Sequence, residues 1–221
     1  MAAGWAKATG ASFKFSLLLP SSLANLRQNQ KAEKDAETFL RNLEPLAAAE
    51  KLGCLLLHLP NAFTFAELAL LESRFELVPN KFHLAVEFGH PSWNRVETWR
   101  MLARCNVATA ISDYQVPCPE PVFTSHTHAY IRWHGLGKDD RRDYKYSEGE
   151  LAGWVEKLRE IERRVPVVYA YFCNHSNGNA PANLLTFLEM RGQISEAQTL
   201  ALKRYRRSQR KRPPRDQIEY S

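Results

Sequence analysis

No apolar run in this 221-residue chain is long enough to cross a membrane; stretches such as "LLL" at Leu17 to Leu19 fall far short. The N-terminus "MAAGWAKATG" has no charged segment leading into an apolar one, so no secretory signal is expected. The four cysteines, Cys54, Cys105, Cys118 and Cys173, form no CxxC pair and no metal-like spacing. Reduced thiols and a cytoplasmic location are the expectation. No GxGxxG follows the first strand pattern, which argues against a dinucleotide-binding fold, and no HExxH marks a metalloprotease helix. Acidic residues are missing from one stretch, "KRYRRSQRKRPPR" (203–215), which carries eight cations. With Asp216 and Glu219 the segment 203–221 sums to 8 − 2 = +6, the whole net charge of the chain. The body of the protein is therefore neutral and gives no charge argument for nucleic acid.

What is present is an alternation of strand and helix patterns. The strand patterns are "FKFSLLL" (13–19), "GCLLLHLP" (53–60), "FHLAVEF" (82–88), "VATAIS" (107–112), "AYIRWH" (129–134) and "PVVYAYF" (166–172). Helical spacing of apolar residues runs through 30–52, 64–78, 95–105, 147–164 and 180–192. Pro45 is expected to kink or divide the first of these helices, and Thr64 with Glu67 forms a capping box for the second. Such alternation predicts parallel strands joined by helical crossovers, in an open doubly wound sheet or a (β/α) barrel.

Side chains alternate across a strand, so Leu84, Val86 and Phe88 share one face while Ala85 and Glu87 share the other. Likewise Tyr130, Arg132 and His134 lie opposite Ala129, Ile131 and Trp133. Polar groups gather at the C-terminal ends of successive strands: His58, Glu87, His90, Asp113, Arg132, His134 and Asn174. Strand starts show nothing comparable. Parallel strands bring those ends to one side, where α/β enzymes place their sites. Glu87, Asp113 and His134 are the candidate catalytic groups, and His58, His90, Trp93, Arg132 and Asn174 the candidate substrate-binding groups. Each has a plainer role available: Glu87 and Arg132 as a structural ion pair, His90 before Pro91 as a turn residue, Trp93 as core.

The motifs "KLGCLLLHLPNAF", "AVEFGHPSW", "AISD", "YIRWHG" and "YAYFCNHSNGNAPAN", in this order, resemble the YecE-like family, domain of unknown function 72. The resemblance runs from about Trp5 to Gly192. It implies a TIM-type barrel without an established activity, often likened to metal-dependent sugar isomerases and abasic-site endonucleases. The family's "GTSGW"-like first strand and its Glu-Asn-Ser-Thr-Phe-Tyr-like second strand have no counterpart here. "FKFSLLLP" aligns with the family's third strand, with Leu18 or Leu19 in place of a lysine; Gly89 replaces an arginine and His175 an aspartate.

The expectation is thus an α/β, TIM-type barrel, incomplete with six strands, over 1–192, followed by a basic helix and tail over 193–221. An acid/base site acting on a small-molecule or phosphate-bearing substrate, as a hydrolase or isomerase, is one reading of the strand ends. Carboxylates and imidazoles there can also ligate a divalent metal. The other readings are nucleic-acid binding through Lys203, Arg204, Arg206, Arg207, Arg210, Lys211 and Arg212, and a barrel that has lost catalysis. The open sheet edges are expected to promote self-association. The segment after about Lys203 is expected to be exposed and mobile, beyond a short helix beginning at Ser195.

Overall fold

A strand buried on both faces needs apolar side chains in both phases, and "LGCLLLHL" supplies them. In the computed structural model, which describes residues 2–27, 29–113, 122–136 and 141–210, that segment is the second strand of a six-stranded sheet. The elements in order are α1 (Ala2–Ala8), β1 (Phe15–Leu18), α2 (Ser21–Ala24), α3 (Asn29–Ala48), β2 (Leu52–Leu59), α4 (Leu68–Phe75), β3 (His83–Phe88), α5 (Val96–Arg104), β4 (Ala108–Ser112), β5 (His128–Trp133), α6 (Glu148–Glu162), β6 (Val167–Phe172), α7 (Asn179–Met190) and α8 (Glu196–Arg210). The strands are parallel and lie in sequence order, β1 to β6. This is an incomplete TIM-type barrel with flanking helices, as the sequence predicts.

The chain forms two compact units. One comprises Met1–Trp133 with Glu160–Tyr171 and holds the sheet; the other comprises His134–Arg159 with Phe172–Ser221. In the first, strand alternation sorts two layers. Leu55, Leu57 and Leu59 of β2 join Leu84, Val86 and Phe88 of β3 in a core with Leu43 and Leu46 of α3. Each such leucine stabilises the fold by roughly 2–3 kcal/mol relative to exposure. On the opposite face Cys54, Leu56, Ala85, Ala108 and Tyr130 form the barrel interior, with Tyr169 and Tyr171 of β6 against them. Gly53 allows a close approach here: a Cβ would lie 3.0 Å from both Ser16 Oγ and Tyr169 Cε1. The phenol of Tyr171 donates to Ser16 Oγ at 2.6 Å, so side chains of the two edge strands meet across the interior.

Two local expectations are corrected, and one helix is added. The helix α3 is not divided at Pro45 but continues to Ala48, because buried Leu43 and Leu46 hold both sides of the proline on the core. The stretch "AAGWAKA", which carries no amphipathic repeat, is helical as α1. Tertiary contacts hold it: Trp5 stacks on Phe15 at 5.7 Å, and the buried Lys51 Nζ donates to the carbonyls of Ala6 and Thr9 at its C-terminus. That is where a cation best meets the helix dipole. Lastly, α8 continues past Lys203 to Arg210. Leu202 is buried, and Arg206 pairs with Glu189 of α7 at 2.8 Å and with Glu148 at 3.7 Å, so this cation is matched within the second unit. Lys203, Arg204 and Arg207 are exposed. The Arg210 side chain, Lys211, Arg212 and Cys118 lie outside what is described. The capping box at Thr64 forms as read, with the Thr64 amide donating to Glu67 Oε2 at 2.8 Å.

Candidate active site at the strand ends

The register of β2 on β3 sets His58 beside Glu87, and that of β4 on β5 sets Ser112 beside Arg132. Ala85 pairs with Ala108 and Ala110 with Tyr130, so continuing the register puts Glu87 level with the small Ala110. Little stands between Glu87 and a long side chain reaching across β4 from β5. Arg132 takes that route, and its Nη1 donates to Glu87 Oε2. His58 Nε2 stands 4.0 Å from the same oxygen. The Glu87 side chain is 7% exposed, that of Arg132 17% and that of His58 42%, so the three groups grade from interior to solvent.

The structure thus brings together His58, Glu87 and Arg132. Asp113 follows β4 and is half-buried. His134 and Asn174 belong to the second unit. There Asn174 is fully buried, and its Nδ2 donates to Tyr144 O at 2.7 Å and to Asn183 Oδ1 at 2.8 Å. Asn183 in turn holds Tyr146 by both main-chain groups, and Asn179 donates to Asp143 O. The asparagines of "NHSNGNAPAN" therefore clamp the segment 143–146.

His90 and Trp93 answer to local geometry. The His90 ring caps a single turn over Pro91–Trp93, its Nδ1 accepting from Ser92 N at 3.1 Å. Ser92 Oγ accepts from Phe65 N at 3.0 Å, which ties this turn to the start of the 65–75 helical segment. Trp93 is fully buried, stacked on Phe88 at 5.0 Å, with Nε1 donating to Phe63 O at 3.0 Å. Glu87 and Trp93 both line a cavity of about 20 Å³ beneath the strand ends, room for a single water.

The model of the family described as "Protein of unknown function DUF72" matches residues 1–209. The chain belongs to that family. The DUF72 family protein TM1631 from Thermotoga maritima is 31% identical, with a TM-score of 0.77 over 84% of this chain and 76% of that one. A DUF72 family protein from Enterococcus faecalis, EF0366, shares the fold at 19% identity, TM-score 0.78, over 88% of this chain and 80% of that one. No curated protein matches this chain. The DUF72 match extends through most of α8, beyond the segment that the motifs cover.

Strand starts, read as plain in the sequence, carry a second polar cluster. His83 opens β3 and His128 opens β5; their rings stack at 4.4 Å, and His83 Nδ1 meets the Tyr169 hydroxyl at 2.9 Å. A carbonyl only accepts, so His128 Nε2 carries the proton that goes to Leu84 O at 3.0 Å. Its Nδ1 lies 2.9 Å from both Ser125 Oγ and Thr127 Oγ1; the Ser125 hydroxyl donates to Asn106 Oδ1, so Thr127 Oγ1 is the donor to the ring. Burial pushes His128 down to about 4 and lowers His83; burial pushes the Tyr169 phenol up to about 12. Burial likewise holds the Cys54 thiol well above its ordinary range, which fits an inert core group. The signal was in the sequence, since both histidines precede alternating strand patterns, but a histidine beginning a strand looks like a solvated turn residue. Among the described residues no three His, Cys, Asp or Glu side chains are grouped to hold a metal ion. No described helix is long and apolar enough to cross a membrane.

Proposed function

We propose that this DUF72 protein is an enzyme that moves protons on a small anionic substrate at the C-terminal ends of the strands, as a hydrolase or isomerase. The observation that carries the reading is the graded trio of His58, Glu87 and Arg132. A buried carboxylate that serves stability alone does not need an exposed imidazole beside it. Arg132 is the anchor for a phosphate or carboxylate at the mouth. His58, the most exposed of the three, is the proton-transfer group, since imidazole trades protons readily near neutral pH. Glu87, 4.0 Å away, offsets a positive charge on that ring. Asp113 at the end of β4 is a further candidate for acid/base work. The expected location is cytoplasmic. The test is turnover of a panel of small sugar phosphates and hydroxy acids. His58→Asn and Glu87→Gln should each abolish any activity found while Asn177→Ala, at an exposed contact, leaves it intact. Turnover that survives both variants refutes the assignment.

A second reading rests on α8. Lys203, Arg204 and Arg207 are exposed on a helix that lies mostly within the DUF72 match. With Arg210, Lys211 and Arg212 beyond them, they could contact nucleic-acid phosphates without reading sequence. A salt titration of binding to a duplex, repeated with Lys203→Glu/Arg204→Glu/Arg207→Glu, tests it: salt-independent binding, or binding unchanged in the triple variant, sinks it.

A further inference from the structure

The edge strand β6 differs from the strands within the sheet. Parallel strands are normally covered on both faces, as β2 is, yet all six residues of β6 are half-exposed. A groove of about 620 Å³ runs along this strand. Five consecutive residues, Val167 to Tyr171, line it, so the strand itself, in both side-chain phases, forms one wall. Lys14, Leu52, Gly53, Lys81, Phe82 and His83 complete the lining. None of the described residues lining the groove is acidic. Lys14 Nζ donates to the main-chain carbonyl of Glu50, and Lys81 lies over the Phe82 ring at 5.1 Å; neither lysine makes an ion pair among the described residues. Both lie at the end of the sheet where the strands begin, away from His58 and Arg132.

We propose that this groove takes an extended, acidic peptide segment of a partner protein, added to the sheet as a strand alongside β6. Main-chain groups at a sheet edge supply affinity in such an addition, and the flanking side chains select the guest. Tyr169 and Tyr171 offer aromatic walls to apolar guest side chains, and Lys14 and Lys81 attract carboxylates on either flank. Charge decides against a second copy of this chain as the occupant: its own edge strand, "VVYAYF", has no carboxylate to offer the two lysines.

The probe is fluorescein-labelled Glu-Val-Thr-Val-Glu-Val, titrated with the full chain and followed by anisotropy. Saturable binding tighter than about 1 mM is expected. Replacing both glutamates of the peptide by lysine should abolish it. The double variant Lys14→Glu/Lys81→Glu should weaken it at least about tenfold and bind the lysine peptide instead. Two further peptides, N-methylated at odd or at even residues, report the mode. A strand turns alternate amides to opposite sides, so one methylated set should lose binding and the other keep it. Absence of saturable binding overturns the proposal, as does equal binding of both methylated sets. A self-associated form that the double variant disperses to monomers overturns it too, because the second copy is then the occupant.

Discussion

Acid should weaken this fold through His128 before it reaches most carboxylates. The ring is 2% exposed, donates from Nε2 to Leu84 O, accepts at Nδ1 from Thr127 Oγ1, and stacks on His83. A second proton on Nδ1 would bury a charge away from water and set it against a neighbouring imidazole. The folded-state value is about 4, depressed from 6.5 chiefly by burial. A depressed base contributes stability that is complete above its unfolded value and is lost as pH falls from 6.5 towards 4. The difference of about 2.5 units corresponds to about 3 kcal/mol in full, of which about 2.5 kcal/mol is gone by pH 4.5. His83, also lowered by burial, adds loss in the same direction. Urea unfolding at pH 7.5, 6.0, 5.0 and 4.5 measures it. His128→Asn should cost stability at pH 7.5 but flatten the decline below pH 6.5. A wild-type midpoint constant across that range, or an equal decline in the variant, refutes the reasoning.

Removing the ammonium in Lys51→Met should cost about 1–3 kcal/mol, since carbonyls at the end of α1 lose their donor; amide exchange should speed up selectively in residues 2–8. Gly89→Ala should destabilise by about 1–3 kcal/mol in urea, because a Cβ would lie 2.7 Å from Asn61 N and 2.8 Å from Leu59 O, both main-chain atoms that cannot swing aside. Asn183→Ala should cost about 2 kcal/mol by stranding Tyr146 N and O, with faster exchange of the Tyr146 amide as its local signature.

The fold was legible because parallel strands impose two-phase apolarity and helices impose their own period, and each of the six strand patterns lies within two residues of its observed bounds. Facing was legible too: Ala85 and Tyr130 do lie in the interior, as alternation required. Helix α1 was not legible, since its seven residues owe their helicity to Phe15 and Lys51, which are remote in sequence. The same holds for α8, whose length follows from Glu189 and Glu148 receiving Arg206. At the strand ends the sequence gathered the right addresses and paired Glu87 with Arg132, but missed the third member. His58 looked like a peripheral binding group, yet register sets it beside Glu87. His90 and Trp93 carried two readings each, and the plainer ones hold: one caps a turn and the other fills the core. The asparagine-rich motif resembled a site and serves as a clamp. The interior cluster of His83, His128 and Tyr169 is built by three strands, and no single segment announces it.

The most direct test of the strand-end site is a calorimetric titration with inorganic phosphate and small sugar phosphates. It compares the wild type with the double variant Glu87→Gln/Arg132→Met, which removes both partners of the buried pair and so strands neither charge. The site predicts saturable binding to the wild type, none to a folded double variant, and unchanged binding to Lys203→Glu/Arg204→Glu/Arg207→Glu. Equal binding by wild type and double variant, or no binding of any of these anions to the wild type, contradicts it.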